Sequence, residues 1–201
     1  REVLRKHLIG RYDNNIRYVD DELHRLVNAL GPDDLLVVLS DHGEEFWDHG
    51  DFEHGHSLYD ELVRVPLVFR GPGIGAGRFD APVSLLDVTP TILDWAGLPT
   101  DDVEGRSLLP LIRHQDGERQ ALDERALRLG NVLYGAPRWG VVADGHKFQS
   151  TKGRLQLWDL QQDPVERNNL LRRDPSAIGT WRAHMADAFD SPVPVLLRLA
   201  P

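Results

Sequence analysis

The sequence predicts an α/β fold followed by a small antiparallel sheet with a helix, and three observations support this class. Apolar residues at helical spacing cover residues 12–30. A short, wholly apolar and partly β-branched run follows at residues 35–39. The last third instead alternates short strand-like segments with glycine-containing turns. We therefore predict a main α/β unit over residues 1–130 and a small antiparallel-sheet unit over residues 131–201.

In the first unit, Gly31-Pro32 should end the first helix. The apolar run after it is expected to form a parallel strand that is buried on both faces. A second strand is predicted at residues 65–69, before the turn-forming residues 71–73. Asp87 is a suitable N-cap for a helix that reaches Trp95, with Gly97 as its C-terminal stop.

The second unit is predicted to contain three short strands and a final helix. The strands are expected at residues 139–143, 146–149 and 155–160, with turns at Asp144-Gly145 and Lys152-Gly153, and the helix at residues 176–188. Trp139 and Trp158 are expected to pack the small sheet against the main one, whereas Lys147 is expected to be solvated.

Composition limits the classes of partner. The 201 residues carry a formal net charge of -9 and include no cysteine. An acidic chain lacks the basic surface that nucleic acid or an anionic membrane requires, and thiol catalysis is excluded. No apolar run approaches the roughly 18 residues that span a bilayer. The chain begins at Arg1 and its only methionine is Met185, which predicts a processed chain or a fragment.

The candidate metal-ligating and substrate-binding residues lie in the loop over residues 40–57. It contains four of the nine histidines and follows the first predicted strand, where ligands of open α/β sheets are found. Asp41 and His42 are suitable ligands for a divalent metal. The histidines His49, His54 and His56 are candidates for binding an oxyanion. The alternative is a solvated acidic loop or an adventitious metal-binding patch.

Several runs of this sequence resemble the C-terminal motifs of the sulfatase family, in the alkaline phosphatase superfamily. They occur in the family's order and are found at residues 12–26, 39–44, 48–50, 59–61, 64–68, 87–93, 96–99, 105–110, 158–160, 163–164, 166 and 168–170. The resemblance implies an alkaline-phosphatase-like mixed or parallel sheet flanked by helices, and hydrolysis of a sulfate ester. A sulfated small molecule or glycan is therefore the expected substrate.

The resemblance also implies roles for individual residues. Asp41 and His42 would be the two later ligands of the family's cation, which is usually calcium. His42 also suits manganese or zinc, because calcium prefers oxygen ligands. Most sulfatases have a lysine where His54 stands, so His54 is expected to hold the sulfate or to protonate the leaving oxygen, with His56 as the nearby competitor. His49 is a further candidate for substrate binding.

Two parts of the family's site have no match in this sequence. The nucleophile motif, whose Cys or Ser becomes formylglycine, is absent, and so is the early pair of metal-binding aspartates. We therefore expect an N-terminal half outside these residues, and no sulfatase activity from the 201 residues alone. One alternative is a phosphoethanolamine or phosphoryl transferase, or a phosphodiesterase, of the same superfamily. Another is an inactive fragment or pseudoenzyme that acts as a binding scaffold.

Overall fold

The computed structural model describes residues 2–113, 122, 124–130, 132–135, 138–151 and 154–189. Within them the helices are α1 (Glu2–Ala29), α2 (Asp60–Val63), α3 (Val88–Trp95), α4 (Leu109–Ile112) and α5 (Ile178–Phe189). The strands are β1 (Leu36–Leu39), β2 (Glu45–Phe46), β3 (Phe52–Glu53), β4 (Leu67–Arg70), β5 (Leu127–Gly130), β6 (Trp139–Ala143), β7 (His146–Thr151) and β8 (Arg154–Asp159). Short 3₁₀ turns lie at Leu85–Asp87, Leu170–Arg172 and Pro175–Ala177. This arrangement confirms the α/β class with a small antiparallel sheet and a helix.

Helix α1 begins earlier than predicted and has 28 residues, none of which is buried. Its first turns contact the loop that follows β1. Arg5 Nε donates to the carbonyl of Phe46 at 2.7 Å, and the rings of Tyr12 and Phe46 meet edge to face. The apolar residues Ile16, Val19 and Leu26 remain about half exposed. None of the described helices combines the length and the apolar character needed to cross a membrane.

Strands β1 and β4 form an antiparallel pair that runs from Leu36 opposite Arg70 to Leu39 opposite Leu67. The prediction of a parallel, fully buried first strand is therefore wrong for this pair. Within the described part of the chain, β1 bonds to β4 alone, and its residues are half-buried or exposed. A continuous apolar run indicates that both faces are apolar, but it does not encode the direction of the neighbouring strand.

Asp87 occupies the predicted N-cap position of α3, but its carboxylate bonds elsewhere. It accepts hydrogen bonds from the backbone N–H groups of Ser84 at 2.7 Å and Arg106 at 2.9 Å, and from the guanidinium of Arg125. Burial acts to raise the pKa of Asp87, but Arg125 and the two N–H groups outweigh it and hold the pKa below its usual range. Gly97 has a φ of 69° and ends the helix as expected.

Two apolar clusters form the core. The first contains Leu108, Leu109, Leu111 and Ile112 around α4, and Phe69 of β4 packs against it. The second lies between the four-stranded sheet and α5, where Val141, Phe148 and Leu157 meet Trp181. The buried residues of the first cluster lie between positions 81 and 122 and those of the second between 141 and 181, but Ala126 packs against the second cluster and β5, inside the predicted main unit, joins the small sheet.

The small sheet is antiparallel throughout, in the order β5-β6-β7-β8. Strand β6 has the predicted bounds, and Asp144 and Gly145 both have positive φ, as a tight hairpin turn requires. The predicted turn at Lys152-Gly153 lies outside the described residues. Trp158 is buried and contacts Tyr59 edge to face, so it does pack the small sheet against the first part of the chain.

Candidate active site

The candidate site begins where β1 ends. Ser40 Oγ donates to the carbonyl of His42 at 2.5 Å, and the N–H of His42 donates to Asp41 Oδ1 at 3.0 Å. Gly43 then passes close to α2, where its N–H donates to the carbonyl of Leu62 at 2.8 Å. A Cβ atom at Gly43 would lie 2.0 Å from the carbonyl oxygen of Glu61, so only glycine fits there.

The atoms of His42 suit a metal ligand. Its Nδ1 lies 2.8 Å from the carbonyl oxygen of Gly43, which can only accept, so the ring proton is on Nδ1 and Nε2 has a free lone pair. This Nε2 lies 3.7 Å from Asp41 Oδ1. Two ligands of one cation are about 3–3.5 Å apart at the usual bond lengths. The pair therefore fits a divalent metal, although no third His, Asp or Glu of the described residues joins it in a ligand cluster.

His54 lies directly against this pair. Its ring stacks on the ring of His42 with centroids 3.9 Å apart, and its Nδ1 donates to Glu44 Oε1 at 3.1 Å. Among the described residues no hydrogen bond engages Nε2 of His54, and the side chain is partly exposed. The structure thus brings together three residues predicted from the sequence, Asp41, His42 and His54.

His56 is held by a carboxylate that the sequence analysis gave no role. Glu45 of β2 is fully buried, and its Oε2 accepts from His56 Nε2 at 2.8 Å. Its Oε1 accepts from the N–H groups of His49 and Asp51, both at 2.9 Å. Glu45 therefore organises the whole loop through three hydrogen bonds, and it orients the ring of His56.

Replacing Glu45 by Ala is expected to destabilise the whole protein by roughly 2–4 kcal/mol, because three donors lose a buried acceptor. Glu45→Gln keeps an acceptor of the same shape and should lose less. The measurement is the free energy of unfolding in urea, with Glu104→Ala as the control, since Glu104 is exposed and its ion pair is with Arg128 of the small sheet, itself partly exposed. A loss no larger than that of the control would contradict the proposed role of Glu45.

The ring of His49 contacts a different part of the chain from the rings of the other three histidines of the loop. Its ring stacks on Tyr59 with centroids 3.6 Å apart, its Nδ1 lies 2.6 Å from Glu61 Oε1, and its Nε2 lies 3.3 Å from the carbonyl of Glu166. Burial acts to lower the pKa of His49, but Glu61 and Glu166 outweigh it and raise the pKa above its ordinary value. With both ring nitrogens engaged, His49 has the surroundings of a structural residue and not of a ligand.

The raised pKa of His49 predicts a pH-dependent contribution to stability. A group whose pKa is higher when folded stabilises fully below its unfolded pKa of about 6.5 and loses this contribution as pH rises through the folded value. The stability difference between the wild type and His49→Gln should therefore be largest at the low end of the pH range, below about 6.5, and shrink as pH rises above that value. Urea denaturation of both proteins from pH 5.5 to 9 tests this, and a difference that grows with pH would contradict it.

A cavity of about 390 Å³ opens beside the loop. Its lining includes Asp51, Glu53, His54 and His56 from the loop, and Tyr134 and Arg138 from the segment between β5 and β6. The two segments meet where the N–H of Tyr134 donates to the carbonyl of Gly55 at 2.8 Å. Gly55 has a φ of 81°. A Cβ atom there would come within 3.0 Å of Leu133, so this glycine permits the close approach.

Lys147 corrects the expectation of a solvated side chain. It is fully buried, and its Nζ lies 2.5 Å from Asp60 Oδ1, 2.9 Å from Glu166 Oε1 and 3.0 Å from the carbonyl of Leu58. On β7 it stands opposite Trp158, so both side chains lie on the sheet face that covers α2. Burial raises the pKa of Glu166, which Lys147 acts to lower. This cluster joins the small sheet to the segment that follows the loop.

Comparison with known proteins agrees with the motif pattern. Residues 2–98 match the family model for Sulfatase. A choline-sulfatase of Rhizobium meliloti is 33% identical over 90% of this chain, which spans 38% of that relative. The solved structure of a 2-O GAG sulfatase has 29% identity and a TM-score of 0.65 over 78% of this chain and 35% of its own.

A phosphonate monoester hydrolase of Agrobacterium radiobacter has 26% identity and a TM-score of 0.68, over 87% of this chain and 39% of its own. The chain therefore spans less than two fifths of each of these three proteins. The matched residues 2–98 contain the whole loop over residues 40–57 and its Asp41-His42 pair. The chain belongs to the sulfatase family.

Proposed function

We propose that this chain provides part of the active site of a metal-dependent sulfuric ester hydrolase, and that the loop over residues 40–57 binds both cation and sulfate. One observation carries the proposal: Asp41 Oδ1 and His42 Nε2 lie 3.7 Å apart, and the ring of His54 stacks on that of His42. This arrangement offers two metal ligands and one adjacent hydrogen-bond donor for an oxyanion. The relatives named as sulfatases support the same reaction.

Asp41 and His42 would hold the divalent cation. A bound cation withdraws charge from sulfate oxygens and helps to keep a hydroxyl nucleophile deprotonated. Calcium is the family's usual ion, whereas the imidazole of His42 suits manganese or zinc better. The chain's own contribution is to orient both ligands. The Gly43 carbonyl fixes the His42 tautomer, and the close fit of Gly43 against α2 fixes the loop.

His54 would act on the substrate. Glu44 accepts the Nδ1 hydrogen of His54, which directs the ring and leaves Nε2, when it too carries a hydrogen, to donate to a sulfate oxygen or to the leaving oxygen. In the protonated ring both nitrogens carry hydrogen, so His54 can donate to the departing alcohol while Glu44 still accepts from Nδ1. His56 lines the same cavity, but Glu45 engages its Nε2, so we assign it a supporting part in substrate binding.

The nucleophile and the two early aspartates would come from an N-terminal part of the same protein, outside the 201 residues. Two observations support this. The relatives are more than twice as long as this chain, and Ile16, Val19 and Leu26 of α1 offer apolar side chains that are about half exposed within the described residues. In the family the nucleophile is formylglycine. On this account the 201 residues alone hydrolyse no sulfate ester.

The test uses the whole protein supplied with calcium, manganese or zinc. We expect release of inorganic sulfate from 4-nitrophenyl sulfate, and a large loss in His54→Ala. No hydrolysis of any sulfate ester by the wild type with any of the three metals would overturn the proposal. Measurable turnover by the 201 residues alone would overturn the division of the site between two parts of the protein.

A second candidate function is hydrolysis or transfer of phosphorus esters, and the similarity to a phosphonate monoester hydrolase favours it. The same protein should therefore be assayed with 4-nitrophenyl phosphate and 4-nitrophenyl phenylphosphonate. Faster turnover of either one than of the sulfate ester would move the assignment to phosphoryl chemistry. No turnover of any of the three would instead favour an inactive binding scaffold.

A further inference from the structure

Arg138 is a buried cation, and not all of its N–H groups have hydrogen-bond partners among the described residues. It is only 7% exposed, and neither Nε nor Nη1 has a hydrogen-bond partner among the described residues. Buried polar groups of native proteins are nearly always paired, and a guanidinium carries five N–H donors in a fixed fork. An arginine held in this state is prepared for an acceptor that is not part of the described chain.

The position of Arg138 indicates where that acceptor would bind. Arg138 lines the cavity that also contains His54 and His56, and its Nη2 lies close to Gly135, where a Cβ atom would be 3.9 Å away. The hydrogen bond from the N–H of Tyr134 to the carbonyl of Gly55 holds Tyr134, four positions before Arg138, against the histidine loop. Arg138 and the candidate catalytic histidine therefore belong to one binding space, contributed by two separate segments.

The unpaired nitrogens of Arg138 favour an anion, although Asp51 and Glu53 also line the cavity. Burial lowers the pKa of Arg138, and the nearby negative charge of Asp51 acts in the opposite sense. The group still stays charged, because the guanidinium does not lose its proton in proteins. A buried charge is costly unless it is paired and hydrogen-bonded. A carboxylate or sulfate entering the cavity would supply both, and it fits the fork of the guanidinium with two parallel bonds.

We propose that Arg138 forms a subsite for a second anionic group of the substrate, separate from the sulfate that reacts at His54. This inference rests on the proposed sulfatase function and narrows its substrate class to sulfate esters that carry a further carboxylate or sulfate. An ester of a cationic alcohol, such as choline, could approach Asp51 and Glu53 of the same cavity, but it would leave the guanidinium of Arg138 unpaired. The Arg138 subsite thus favours an anionic ester over the substrate named for one of the relatives.

The test compares matched aryl sulfates in the whole protein. The probes are 3- and 4-carboxyphenyl sulfate and their methyl esters, with choline sulfate as the cationic ester. The readout is the ratio of kcat/KM for the better carboxylate over its methyl ester. We expect a preference of roughly 10- to 100-fold in the wild type, the range that a hydrogen-bonded ion pair supplies. Arg138→Gln should remove most of it, Arg138→Lys should keep part, and the control Arg128→Gln, on the neighbouring strand β5, should keep it all.

Because the readout is a ratio, it does not depend on the fraction of folded enzyme. The inference is overturned if the wild type shows no preference for the carboxylate or if the preference survives in Arg138→Gln. It is also overturned if kcat/KM is higher for choline sulfate than for both carboxylates. Calorimetric titration of the same esters separates the two proposals. Binding of the carboxylates that depends on Arg138, without turnover of any ester, would sustain the subsite and overturn the sulfatase assignment. Turnover of the esters without a preference for the carboxylate would sustain the sulfatase assignment and overturn the subsite.

Discussion

Replacing Asp41 and His42 together by alanine is expected to lower kcat for a sulfate ester by about 10³-fold or more in the whole protein. A metal ion contributes several kcal/mol of transition-state stabilisation, and each 1.4 kcal/mol is a factor of ten. The fold should survive, because the side chain of Asp41 is 86% exposed and that of His42 is 43% exposed. Circular dichroism and the urea midpoint check this point, and elemental analysis should find less bound metal.

The matched control is His24→Ala with Asp33→Ala, which removes one imidazole and one carboxylate at exposed positions outside the loop. It should retain activity and metal. Turnover close to that of the wild type in the Asp41/His42 variant would remove the basis for a metal site at the end of β1. A collapse of the urea midpoint in that variant would instead show that the pair supports the fold.

Lys147→Ala is expected to lower the free energy of unfolding of the whole protein by roughly 3–5 kcal/mol, the usual cost of breaking a buried ion pair on one side. The variant leaves the carboxylates of Asp60 and Glu166 without their cation, and Glu166 is buried. Urea denaturation at pH 7 measures the loss. The control is Lys6→Ala, since Lys6 is exposed and its ion pair is with the exposed Glu2 on α1.

A double-mutant cycle makes this prediction sharper. Lys147→Met combined with Glu166→Gln removes both charges, so the double variant should be more stable than the sum of the two single losses predicts. Additive losses would mean that Lys147 and Glu166 do not depend on each other. A loss for Lys147→Ala no larger than that for Lys6→Ala would contradict the buried cluster itself.

Local patterns predicted three of the four strands of the small sheet, because the determinants of those strands lie within a few residues of one another, but they missed β5. Asp144-Gly145 forms the tight turn between β6 and β7, which fixes where β6 ends and β7 begins. The direction of the pair β1–β4 was not predictable from residues 35–39. The direction depends on a partner strand about thirty residues away, and an apolar run is compatible with either direction.

The candidate site was predictable in part for the same reason. Asp41, His42 and His54 lie in one short loop whose density of histidine marks it, and the structure brings all three together. The carboxylates that orient them carry no such signal, since Glu45 resembles any acidic loop residue until its three donors are in place. Lys147 and Asp60 are 87 positions apart, so their ion pair exists only in the folded chain.

The most direct test of the central claim is a crystal structure of the whole protein grown with the divalent metal and inorganic sulfate, with the metal located by anomalous scattering. We predict the metal in contact with Asp41 Oδ1 and His42 Nε2, and a sulfate oxygen within hydrogen-bond distance of His54 Nε2. A metal and a sulfate bound together elsewhere, with Asp41, His42 and His54 all solvated, would contradict the assignment of this loop as the active site.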